Sequence, residues 1–133
     1  MSKSINTKVD SGKTLFTFTD RNGETVARFN LYPLDIAAAA RLREAAVFLK
    51  ENGSAASGDE IGKLNAEIER QICYALGCDT AAVFGKVSAL AVMSDGRFFA
   101  DVVLTTVGKA IQSAAESRKK SLDAAKKYLE AYV

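Results

Sequence analysis

Between Thr14 and Asn30 apolar and polar positions alternate, with Phe16 and Phe18 on one arm, Ala27 and Phe29 on the other, and Asn22-Gly23 between them. A period of two predicts half-buried strands, and an Asn-Gly pair flanked by two such arms predicts a β-hairpin over residues 14–30. With Asn22 and Gly23 in a two-residue type I′ turn, Arg21 pairs with Glu24, Phe18 faces Ala27 and Phe16 faces Phe29. Three aromatic rings then share one face, while Thr17 and Arg28 point to the other. A two-stranded hairpin is marginal in water, so the aromatic face must pack on helices or extend a neighbour's sheet.

Beyond the hairpin the period lengthens. Ala38, Leu42, Ala45 and Leu49 recur at helical spacing, with Ala39 and Ala46 beside them, and predict a helix over about 34–51. Pro33 suits its first turn and Asp35 adds a favourable negative charge there. The stretch NGSAASGDE reads as a loop. Ser57 followed by Glu60 forms a capping-box pattern ahead of a stripe of Ile61, Leu64, Ile68, Ile72 and Ala75, which predicts a helix over 58–76. Gly77 suits a left-handed helix end, and Asp79 can cap a short helix over 79–84. Ser94-Asp95-Gly96 reads as a turn whose Ser94 or Asp95 caps a final helix over 97–131. There Phe99, Val103, Thr106 and Ala110 form one stripe. Ile111, Ala115, Leu122, Ala125, Leu129 and Tyr132 continue a thin seam that Arg118 interrupts. At about 1.5 Å per residue such a helix runs roughly 50 Å, more than a domain of this size covers, so its end projects.

These elements give a fold that is mainly α with an N-terminal β-hairpin (α+β), a small helical domain with a long C-terminal helix. Residues 1–12 are polar and aperiodic and read as a disordered tail, leaving 13–133 as one domain. A length of 133 residues, 48% hydrophobic and 26% charged, agrees with one soluble globular core. A net charge of +2 is far below what neutralising several phosphates requires, which disfavours nucleic acid. The start MSKSINTKVDSGK lacks the apolar core of a signal peptide and no run approaches membrane-spanning length, so a cytoplasmic location is expected, with no membrane partner.

The chain has no histidine, the usual general base near neutral pH and the commonest metal ligand. Cys73 and Cys78, five apart, are expected on different faces as reduced structural thiols, since the spacing matches no zinc or CxxC pattern. DRNG and SDG lack the acidic alternation of a calcium loop, and no phosphate loop or nucleophile elbow appears. Asp59, Glu60, Glu67 and Glu69 fall off the apolar stripe and read as solvent-facing. Lys119, Lys120, Lys126 and Lys127 are diluted by Glu116, Asp123 and Glu130. No catalytic, cofactor-binding or metal-ligating residue is therefore expected, and the chain is not expected to be an enzyme.

The order of hairpin, YPLD helix start, polar loop, helix, ALGCDTAAVFG corner, SDGRFF turn and final helix resembles the tail assembly chaperones of long-tailed phages, particularly those from Gram-positive hosts. The likeness covers about residues 14–115, with Tyr32-Pro33 in place of the family's Asn-Pro and Gly77-Cys78-Asp79 where a second glycine often stands. It implies a non-catalytic protein that coats the tape measure protein until tail tube subunits polymerise around it, works in the host cytoplasm and is absent from the mature virion. It also implies the shorter of the family's two frameshift-related lengths. The expected partners are the tape measure protein, the tail tube protein and further copies of the chain. Client-facing residues are expected among Phe16, Phe18 and Phe29 of the hairpin and Leu122, Leu129 and Tyr132 of the last helix. Two other readings fit the same pattern: a structural tail or connector subunit of a phage or mobile element, and a small DNA-associated helical regulator with a lysine-rich last helix.

Overall fold

The computed structural model describes residues 3–8, 13–31, 36–53 and 57–130, with side chains described as far as Lys119 except that of Ile36. The expected helix start at Pro33 and Asp35 lies outside these residues. The chain is an α+β fold of β1 (Thr14–Thr19), β2 (Thr25–Leu31), α1 (Ile36–Asn52), α2 (Asp59–Leu76), α3 (Thr80–Phe84) and α4 (Phe99–Glu130). Residues 3–8 carry no regular secondary structure and are exposed.

The two strands pair antiparallel, with Phe16 opposite Phe29 and Phe18 opposite Ala27 as the alternation requires. The turn differs from the expected type I′. Gly23 donates its N–H to the Asp20 carbonyl (3.1 Å) and sits at φ 81°, while Asp20 N–H donates to the Glu24 carbonyl (2.9 Å), closing a loop one residue longer. Asp20 Oδ1 accepts the N–H groups of Asn22 (2.8 Å) and Glu24 (3.0 Å), which favours this turn over the two-residue form. The longer loop moves the register by one, and an irregularity at Val26 moves it back, since Thr19 pairs with Thr25 but Phe18 with Ala27. The burial of Phe16, Ala27, Phe29 and Leu31 on one face therefore survives a different turn.

α1 presents Ala38, Leu42, Ala45 and Leu49 to the core and packs on α2 and α4. α2 buries Ile68, Ile72, Cys73, Ala75 and Leu76, whereas Ile61, expected on the stripe, is 43% exposed. The expected capping box at Ser57 and Glu60 does not form; Gly58 is the N-cap and no side chain bonds the first turn. α3 lies against β2 and plugs the corner with Val83 and Phe84, and Lys86 Nζ donates to the Thr25 carbonyl at 3.0 Å. Five phenylalanines link these layers. Phe16 and Phe18 stack on Phe29 at 5.4 and 6.0 Å, and Phe18 and Phe84 both meet Phe99 edge-on at 6.1 and 5.9 Å.

Residues 85–98 cross α2 without forming a helix. Glu69 Oε2 accepts the Ala89 N–H (3.1 Å) and Asn65 Oδ1 accepts the Leu90 N–H (2.9 Å), with Asn65 Nδ2 donating to Glu69 Oε2 (3.0 Å). Glu69 is thus a half-buried structural acceptor, which corrects its reading as solvent-facing. The same segment caps α4. Phe99 and Ala100 donate their N–H groups to the carbonyls of Ala91 (2.8 Å) and Ala89 (2.9 Å), and Phe98 N–H donates to Asp101 Oδ2 (3.2 Å). Ser94 and Asp95 are not the cap; Asp95 instead binds the N–H and Nε–H of Arg97 within its own turn. Those bonds hold the Asp95 carboxyl below its ordinary value.

Candidate protein-binding surface

α4 buries Phe99, Ala100, Val103 and Val107 and half-buries Ala110 and Ile111. From Gln112 to Lys119 every side chain except Ala114 is exposed, while the helix continues to Glu130. At about 1.5 Å per residue the length beyond Ile111 is about 28 Å. Among the described side chains, core contact thus falls away after Ile111, where Gln112 to Lys119 are polar, charged or small. Leu122 and Leu129 belong to this distal part by backbone position; their side chains, and Tyr132 altogether, lie outside the described residues.

The structure places the hairpin residues of the expected site against the rest of the chain. Phe16 and Phe29 are buried and Phe18 is half-buried, all within the aromatic cluster that holds the sheet on α3 and the start of α4. Most of their face finds its cover inside the chain, with Phe18 the least covered of the three. The hairpin's other face carries Leu15, exposed, beside Thr17 and Arg28.

The apolar surface that remains open lies elsewhere. An open groove of about 610 Å³ runs between α1 and α2, with Val47 (48% exposed), Phe48 and Tyr74 (59% exposed) on its apolar side. The Arg41 guanidinium sits 4.4 Å from the centroid of the Tyr74 ring, which holds the ring by a cation–π contact. Across the groove Arg70 makes a two-pronged contact with Glu67, at 2.9 Å from Nε to Oε2 and 2.6 Å from Nη2 to Oε1. That bond, with a weaker one from Gln71, holds the Glu67 carboxyl down at about 2 and pushes Arg70 up. A second, smaller groove between α1 and α4 is lined by Ala39, Leu42, Ala46, Leu104, Gly108 and Ile111, beside Arg43. An amphipathic helix laid along either groove would meet apolar carbon in the middle and charge at the edge. Tyr74 and Val47 were not singled out from the sequence, although each falls off the buried stripe of its helix, which is the signal that marks a large apolar residue left at the surface.

The thiols also depart from expectation. Cys73 and Cys78 are both free and in contact with each other, because α2 ends at Gly77 in the left-handed region (φ 66°) and the chain folds back. The neighbouring Cys78 sulfur, together with burial, pushes Cys73 far above the ordinary thiol range, while the interaction with Cys73 lowers Cys78 against the opposing effect of burial. Among the described residues no group of three or more His, Cys, Asp or Glu side chains is placed to hold a metal, and no helix is long and apolar enough to cross a membrane.

Comparison of the chain with protein-family models, with curated proteins and with solved structures found no match.

Proposed function

We propose that the protein is a non-catalytic binding protein of the tail assembly chaperone kind, which holds a long helical client, the tape measure protein, in soluble form until tail tube subunits enclose it. The observation that carries this reading is in α4: its side chains from Gln112 to Lys119 are exposed except Ala114, and the helix runs on to Glu130. A helix that outlasts its own core has a surface to share. The α1–α2 groove, with its exposed Tyr74 and Val47, adds a second patch of the same character. Contacts of this kind are individually weak and reversible, and many copies along one client gain strength by avidity without any single tight site. Such weakness suits a client that must later be released to the tube.

The test is co-expression with a long tape measure protein, which this reading expects to be encoded near this chain. The client should appear in the soluble fraction and co-purify, and Leu122→Glu with Leu129→Glu should abolish this while circular dichroism stays unchanged. A client that stays insoluble beside the wild-type chain, or the chain found as an abundant component of purified virions, overturns the proposal. Solubilisation retained by the double variant moves the contact from distal α4 to the α1–α2 groove.

A further inference from the structure

The end of α2 brings two thiols together by backbone geometry. Gly77 N–H donates to the Tyr74 carbonyl (3.3 Å) and Cys78 N–H to the Cys73 carbonyl (3.2 Å), the paired bonds of a Schellman helix end. In that arrangement the residue after the glycine folds onto the residue five before it, a place commonly filled by a hydrophobic contact and filled here by Cys78 on Cys73. With standard bond lengths, the Cys78–Cys73 hydrogen bond keeps the two Cα atoms within about 7 Å. That is inside the separation beyond which a disulfide needs the backbone to move. The backbone separation a bridge requires is therefore set by the helix end itself.

The two sulfurs are not equivalent. Both border a groove lined also by Arg41, Tyr74 and Asp79, but Cys73 is buried while Cys78 is half-exposed. The interaction with Cys73 lowers the Cys78 thiol and raises that of Cys73, with burial and the Asp79 carboxylate opposing the effect at Cys78.

We propose that Cys73 and Cys78 form an oxidisable dithiol, in which Cys78 attacks small disulfides of the glutathione class and Cys73 closes an intramolecular bridge across the end of α2. In the first step the Cys78 thiolate attacks one sulfur of the small disulfide. A Cys78–S bond forms, the S–S bond breaks, and one thiolate leaves and takes a proton. In the second step Cys73, giving its proton to solvent, attacks Cys78 Sγ and expels the second thiolate, which is protonated in turn. The protein loses two electrons and two protons, and the small disulfide gains both and becomes two thiols. The bridge ties α2 to the corner that carries Val83 and Phe84, a part of the fold separate from the distal α4 surface.

The test uses the intact chain in buffers of graded reduced-to-oxidised glutathione ratio, quenched in acid, alkylated and weighed by intact mass spectrometry. Alkylation should fall from two thiols to none as the buffer becomes oxidising, with a monomeric product lighter by two hydrogen atoms. Cys73→Ala should accumulate a single glutathione adduct on Cys78, whereas in Cys78→Ala the remaining Cys73 should react only after denaturation. Should a variant fail to fold, peptide mapping of the wild-type chain quenched early gives the same answer, since the first adduct must lie on Cys78. The proposal is overturned by both thiols remaining alkylatable at every ratio, by disulfide-linked dimers in place of the internal bridge, or by a first adduct on Cys73.

Discussion

Replacing Glu69 by Ala tests whether the segment between α3 and α4 is held by α2. The Glu69 carboxylate accepts the N–H of Ala89, a residue with no exposed surface, and also orients Asn65, which accepts the next N–H at Leu90. Without the carboxylate the Ala89 N–H has lost its acceptor in a place water does not reach, a defect that costs about 1–3 kcal/mol. Alanine's better helix propensity returns only a few tenths of a kcal/mol. The net expectation is about 2 kcal/mol. For a chain intermediate between the small and larger domain classes this lowers the melting temperature by about 8 °C. Urea denaturation followed by far-ultraviolet circular dichroism reads it directly. Glu69→Gln keeps an acceptor oxygen at the same reach and should lose less than half as much. Asn65→Ala combined with Glu69→Ala should fall short of additivity, since both hold one strip of backbone. A loss below about 0.5 kcal/mol for Glu69→Ala, or Gln proving as damaging as Ala, refutes the account.

Three further outcomes follow from the same coordinates. Gly77→Ala meets no atom within 4 Å but must hold φ near +66°, so it should cost about 1 kcal/mol by denaturation, purely from backbone strain; an unchanged midpoint would count against it. Glu67 is held down at about 2 by Arg70, so its pair stabilises the fold above the ordinary carboxylate range and the contribution is lost as pH falls toward 2. The stability gap between wild type and Glu67→Gln should therefore be widest near neutral pH, close between about pH 4.5 and 2, and shrink with added salt, as a pH series of urea curves would show. Truncation after Lys119 should leave the unfolding free energy within about 0.5 kcal/mol of the intact chain, because the described side chains from Gln112 to Lys119 are exposed except Ala114; a larger fall would mean that distal α4 supports the core.

Elements with strong periodicity were legible from the residues alone. The Ile68–Ile72–Ala75 stripe gave α2, the Phe16–Phe29 facing followed from alternation, and Gly77 marked a helix end. What the sequence hid were long-range partners of short polar groups. Nothing local tells Glu69 that its acceptor duty lies twenty residues on at Ala89, or tells α4 that backbone carbonyls of Ala89 and Ala91 will replace a capping side chain. Sulfur placement failed for a related reason: helical counting sets Cys73 and Cys78 apart, and the left-handed residue between them cancels the count. The hairpin aromatics were expected to need cover, and the structure supplies it through Phe18 on Phe99, which also meets Phe84.

That aromatic chain has a consequence for how the protein is made. Phe16 and Phe18 leave the ribosome long before Phe84 and Phe99, yet the hairpin's stability depends on those late rings. The nascent polypeptide must therefore carry a bare aromatic sheet through most of its elongation, and closure waits on contacts of high sequence separation. The most apolar strand pair of the chain thus spends much of synthesis without its cover.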